Sequence, residues 1–163
     1  MKVVTGIGPR VGTSFTMNFL RKNGLPIAGK KFLYFTPKDE NPDGFWELDP
    51  QIMEDGCKDH MWKNMCVKVW PALLLKTPVY NINRLIILER KDKERQLESV
   101  NRIYKKEKEL VDFTSPFNPP TDIIDWARWC LTRALEEANY PILHVYTEDI
   151  NDKLDEILSF MED

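Results

Sequence analysis

An apolar strand runs into a glycine-rich turn and then a helix at the start of this chain: Val3-Val4-Thr5-Gly6-Ile7-Gly8-Pro9-Arg10-Val11-Gly12-Thr13-Ser14-Phe15-Thr16. A strand that feeds a helix through so short a turn is half of a β-α unit and asks for parallel partner strands. Successive backbone N–H groups in such a turn, with the positive end of the following helix dipole, form a concave site for a phosphate or sulfate-like group. The common nucleotide-binding loop ends Gly-Lys-Ser or Gly-Lys-Thr. Here Gly12 is followed by Thr13-Ser14, and the one cation of the turn, Arg10, precedes that glycine.

The remaining strands and helices are read from periodicity. Helix is expected from Thr13 to Asn23, with Phe15, Phe19 and Leu20 on one face and Asn23-Gly24 as its stop. Residues 25–35 are interrupted by Pro26 and Gly29, with a short element near Phe32–Phe35. Residues 36–50 read as a loop. Helix is expected from Asp49 towards Lys63, and a second strand over Met65–Val69. Leu85-Ile86-Ile87-Leu88, four branched aliphatics between charges, is the pattern of a strand covered on both faces. A long helix over Lys93–Leu110 follows, with Leu97, Val100 and Tyr104 inward. Phe113–Pro120 reads as a rigid turn or a substrate-side loop, Thr121–Asn139 as an apolar helix, Ile142–Tyr146 as a strand, and the last residues to Met161 as an amphipathic helix. His144, between apolar strand neighbours, reads as a core residue, and Trp126 and Trp129 as core or interface.

Composition narrows the function classes. A chain of 163 residues fits one domain with one core, so a single domain over 1–163 is expected. Three cysteines, Cys57, Cys66 and Cys130, form no Cys-x-x-Cys pair, which argues against a disulfide framework and for a reducing compartment. The non-standard spacing of Cys57, His60 and Cys66, without an evident fourth ligand, argues against zinc. No signal-peptide pattern and no apolar run of the ~18 residues that span a bilayer is present. The expectation is a soluble, cytoplasmic protein with no membrane partner. Net charge is −3, yet no acidic residue precedes Asp39, so Lys2, Arg10, Arg21, Lys22, Lys30, Lys31 and Lys38 stand unopposed in the opening segment and favour an anionic ligand. The acidic overall balance and the lack of a basic and aromatic stripe disfavour nucleic acid.

Pro9-Arg10-Val11-Gly12-Thr13-Ser14 resembles the 5′-phosphosulfate loop of sulfotransferases that use 3′-phosphoadenosine 5′-phosphosulfate. Asn41-Pro42-Asp43-Gly44-Phe45-Trp46-Glu47 resembles a second stretch of a bacterial-type branch of that family. The resemblance extends to Lys68-Val69-Trp70-Pro71, to Glu89-Arg90-Lys91-Asp92 with Ser99, and to Thr147-Glu148-Asp149-Ile150. Alternating strands and helices with loops at the strand ends give a three-layer α/β/α domain with a mainly parallel sheet of about four or five strands and the first strand central, and the resemblance implies a core like that of the P-loop nucleotide hydrolases. It also implies that Arg10, Val11, Gly12, Thr13 and Ser14 hold the 5′-phosphosulfate, and that Arg90 or Lys91, with Ser99, holds the 3′-phosphate. Trp70 stands where the cytosolic members carry a catalytic His. Glu47, in a partly apolar setting that would raise its pKa, is then the candidate base, with Lys68 and Arg10 stabilising developing charge. The usual Arg-to-Ser offset of the family is matched by Lys91 and Ser99, not by Arg90, and the family's Arg-Lys-Gly segment has no counterpart after residue 121.

The implied activity is sulfonate transfer to a hydroxyl or amine of a small-molecule or carbohydrate acceptor, without a metal. Two other readings are a non-catalytic nucleotide-binding protein on the same core and a small P-loop kinase. The kinase would need a lysine after Gly12, which is absent, and a strand-end acid for magnesium.

Overall fold

The computed structural model describes residues 1–28, 30–32, 45–47, 62, 64–75, 77, 81–110 and 123–162, and of 30–32, 45–47 and 103–110 the backbone alone. Among the described residues the strands are β1 (Lys2–Gly6), β2 (Lys30–Phe32), β3 (Phe45–Glu47), β4 (Cys66–Lys68), β5 (Arg84–Glu89) and β6 (Ile142–Tyr146). The helices are α1 (Thr13–Lys22), α2 (Pro71–Leu74), α3 (Lys93–Leu110), α4 (Ile123–Leu135) and α5 (Leu154–Glu162), with a 3-10 turn at Thr147–Asp149.

Four strands make an all-parallel sheet in the order β4-β1-β5-β6. Val4 lies opposite Lys68 on one side and Ile86 on the other, so β1 is interior as expected. Strands buried on both faces need apolar side chains in both directions, and β1 and β5 supply them. Val3, Leu85, Ile87 and Val67 face a core with Leu74 of α2 and Ile124 and Leu131 of α4. Val4, Ile86, Leu88 and Val145 face a second core with Met17 and Leu20 of α1 and Ile157 and Met161 of α5. Helices on both faces of one parallel sheet make an α/β fold consistent with a three-layer α/β/α arrangement. Among the described residues no helix is long and apolar enough to cross a membrane.

Several elements depart from the sequence expectation. Residues 45–47, expected in a loop, form β3, which pairs antiparallel with β2 in the register Lys30 to Glu47 and Phe32 to Phe45. Aromatic residues suit a pleated ladder, and here that preference prevails over the nearby Pro and Gly. Pro71, at the first position of α2, starts a turn of helix that the sequence reading did not foresee. The inward face of α3 is set by Gln96, 1% exposed, and Val100, whereas Leu97 is 37% exposed. His144 is exposed rather than buried, because β6 is the sheet edge among the described residues and only Val145 of that strand is buried. Trp126 and Trp129 are likewise exposed. The expected helix from Asp49, Cys57, His60 and the segment Phe113–Pro120 lie outside the described residues.

Candidate anion site at the strand ends

Parallel order brings the carboxyl ends of β4, β1, β5 and β6 to one rim, where ligands of open α/β sheets are held. Neighbouring strands lie about 4.8 Å apart, so the ends of β4 and β5 flank the turn after β1 closely on both sides. Lys68 is the last residue of β4, and Arg90 follows the last residue of β5.

The turn after β1 alternates in backbone hand. Gly8 (φ 81), Arg10 (φ 66) and Gly12 (φ 89) are left-handed, while Pro9 and Val11 between them are not. Arg10 is the sole non-glycine residue of positive φ among the described residues. Alternating hands turn successive N–H groups to one side and so build an anion-binding nest. The nest continues into α1. Gly12 is its N-cap, no side chain caps the end, and no acidic residue lies in the first turn. The N–H groups of Thr13, Ser14 and Phe15 therefore have no intrahelical acceptor, and the first such bond runs from Thr16 N to Gly12 O, 2.9 Å. The other end is closed conventionally, with Arg21 and Lys22 in the last turn and Gly24 (φ 86) donating to Arg21 O.

The side chains around the nest have distinct roles. Val11, 1% exposed, is a core residue, and a Cβ on Gly6 would lie 2.2 Å from its Cγ2. Gly6 is thus required by the packing of Val11, and only the backbone of Val11 faces the site. Arg10 Nε donates to Ser99 Oγ of α3 at 3.1 Å. Lys68, 7% exposed, places Nζ 3.4 Å from Ser14 Oγ. Lys68 thus stands beside the uncapped N-terminus of α1, which itself carries positive partial charge. Glu47 ends β3, opposite Lys30; its side chain lies outside the described residues.

Of the two cations after β5, Lys91 is committed elsewhere. Its Nζ lies 2.8 Å from Asp149 and 5.1 Å from the Tyr146 ring centroid. The Asp149 hydrogen bond raises the Lys91 pKa above the ordinary value. Arg90 lies 3.6 Å from Glu148 through Nε, which is buried without a hydrogen bond. The Glu148 pKa is lowered: burial acts to raise it, but backbone N–H groups of Lys91, Glu148 and Asp92 and the Arg90 charge together outweigh that. Glu89, at the end of β5, is spanned by Arg128 at 2.5 Å and by His144 Nε2 at 3.0 Å. Ser99 thus meets Arg10, not Lys91 or Arg90.

Two residues to which the sequence reading gave no role in the site touch the nest: Gln96, which it did not mention, and Thr147, which it noted only as part of a resembling stretch. Their signal is long-range, since they bond across about half the chain or more. Among the described residues no group of three or more His, Cys, Asp or Glu side chains could hold a metal ion. Burial pushes the Cys66 thiol up to about 11, which makes it unreactive. Compared with protein-family models, with curated proteins and with solved structures, the chain matches none.

Proposed function

We propose that this chain is a sulfotransferase with a P-loop-like α/β core, which moves a sulfonate group from 3′-phosphoadenosine 5′-phosphosulfate to a hydroxyl or amine of a small-molecule or carbohydrate acceptor. The observation that carries the reading is the left-handed backbone at alternate positions Gly8, Arg10 and Gly12 leading into an uncapped helix, with Lys68 buried beside it. That arrangement fits a tetrahedral anion, and the sequence resemblance supplies the phosphosulfate.

Bound there, the co-substrate supplies the sulfonate. The acceptor oxygen or nitrogen attacks sulfur in line, the bond from sulfur to the bridging phosphate oxygen breaks, and the electron pair leaves with the phosphate. The nest N–H groups, Arg10 and Lys68 hold that leaving phosphate and stabilise its charge as it grows. Glu47 takes the acceptor's proton. Arg90 serves the 3′-phosphate better than Lys91, because Lys91 is already paired with Asp149.

The kinase reading is weakened by Glu89, the strand-end acid beside the turn, whose two oxygens face Arg128 and His144 rather than an open metal position. A thermal melt separates the readings. 3′-Phosphoadenosine 5′-phosphate should raise Tm more than ATP with magnesium does, since a ligand stabilises by its affinity for the native state. A larger shift with ATP and magnesium would replace the sulfotransferase by a kinase. The role of Glu47 is tested by Glu47→Gln, which should keep nucleotide affinity within a few-fold and lower turnover by roughly 10².

A further inference from the structure

The nest is held from behind, at every second carbonyl, by two side chains from distant parts of the chain. Gln96 of α3 donates from Nε2 to Ile7 O at 2.9 Å and to Pro9 O at 2.8 Å. A carboxamide has two N–H hydrogens, so both bonds are made at once. Thr147, just past β6, places Oγ1 2.8 Å from Val11 O and 3.1 Å from Glu89 O. The pinned carbonyls are those of residues 7, 9 and 11, each immediately before a left-handed residue.

That coincidence has a direct geometric meaning. In a trans peptide the C=O of one residue and the N–H of the next point in opposite directions within one plane. Drawing the carbonyls of Ile7, Pro9 and Val11 away from the site therefore turns the N–H groups of Gly8, Arg10 and Gly12 the opposite way. Arg10 is where this matters most, because a residue with a Cβ disfavours the left-handed region. The bond to Pro9 O fixes the peptide that leads into Arg10, and the bond to Val11 O fixes the peptide that leads into Gly12. Gly8 is also fixed by the clamp: a Cβ there would lie 3.1 Å from Gln96 Nε2 and 3.2 Å from Ile124 Cγ1.

The geometry points to Gln96 and Thr147 as positioning residues that preset the nest for its anion before any ligand arrives, an inference that rests on the phosphosulfate reading of the turn. Preset donors need no reorganisation when charge develops on the leaving phosphate. The Thr147 hydroxyl has a single hydrogen, and its shorter contact, to Val11 O, ties the residue after β6 to the turn.

The test is calorimetric titration of the folded full chain with 3′-phosphoadenosine 5′-phosphate and with adenosine 3′-phosphate, which lacks the 5′-group. Gln96→Met keeps size but removes both donors; Thr147→Val removes the hydroxyl; Thr147→Ser keeps it. The first two should each weaken the bisphosphate about tenfold, the loss expected for a positioning hydrogen bond, and leave adenosine 3′-phosphate within twofold. Thr147→Ser should bind both as the parent does. If Gln96→Met does not fold, the Thr147 pair carries the same comparison. Bisphosphate affinity unchanged in the folded variants, or an equal loss for both nucleotides, would overturn the positioning role while leaving the site reading intact. A parent chain that binds neither the bisphosphate nor inorganic pyrophosphate would overturn the site reading itself, and this inference with it.

Discussion

The turn after β1 and the corner after β5 are both strand-to-helix junctions on the same rim, and they treat charge in opposite ways. After β1 the helix begins with no side-chain cap and no acidic residue in its first turn, and Lys68 lies beside it. After β5 the charges largely answer one another at the surface: Lys91 meets Asp149, and Glu148 meets the Lys91 N–H and Arg90. An ion pair in water contributes little because solvent screens it. On the proposed reading the first junction serves a ligand, whereas the charges of the second mostly answer one another, with Arg90 as the group between the two.

The sharpest way to break this contrast is Lys68→Met, which keeps the length of the side chain and removes its charge. Binding of 3′-phosphoadenosine 5′-phosphate should weaken by roughly 10², as befits a charge-assisted contact to phosphate in a desolvated place. The denaturant midpoint of the ligand-free chain should change far less than the affinity does if the charge serves the ligand. Loss of stability without loss of affinity would make Lys68 a structural residue.

A smaller effect sharpens the second junction. Arg90→Ala should weaken the same nucleotide by about tenfold, in line with one lost charged hydrogen bond, whereas Lys91→Ala should leave affinity within twofold because its ammonium is engaged with Asp149. Equal losses, or the reverse order measured by titration, would assign the 3′-phosphate to Lys91 after all.

The smallest expected effect is a pH dependence confined to the surface pairs. The Glu148 carboxyl is held below the ordinary glutamate value, so its contribution is present at neutral pH and is lost as pH falls through the lowered value. The Lys91 ammonium is held above the ordinary lysine value, so its contribution is present at neutral pH and is lost as pH rises through the raised value. The difference in denaturant midpoint between the parent and Glu148→Gln should therefore be modest at pH 7 and shrink on acidification. A difference that grows on acidification would contradict the pairing.

Much of the sheet was legible from pattern alone. The aliphatic run at Leu85–Leu88, the alternation from strand to helix around Gly8 and Gly12, and the stop at Asn23-Gly24 each reflect local physics that a single chain carries in its letters. What the letters hid was non-local. Nothing about Arg10 announces a left-handed backbone, because the cost of that conformation is borne by bonds from Gln96 and Thr147, far away in sequence. Gln96 itself is polar, so helical periodicity assigned the inward face of α3 to Leu97. His144 has apolar neighbours, and only its place on the sheet edge explains why it meets Glu89 in the open. Of the proposed site, the turn and the candidate cations were readable; the partner that each cation meets was not.

The central claim is that the nest after β1 is where the anion binds, and amide chemical shifts read that most directly. On titration of the 15N-labelled chain with 3′-phosphoadenosine 5′-phosphate, the largest shifts should fall on the amides of Gly8 and of Arg10 through Phe15, with Gly24 at the far end of α1 unmoved. Shifts concentrated on α5 or on the outer edge of β6, with residues 8–15 unchanged, would contradict the account.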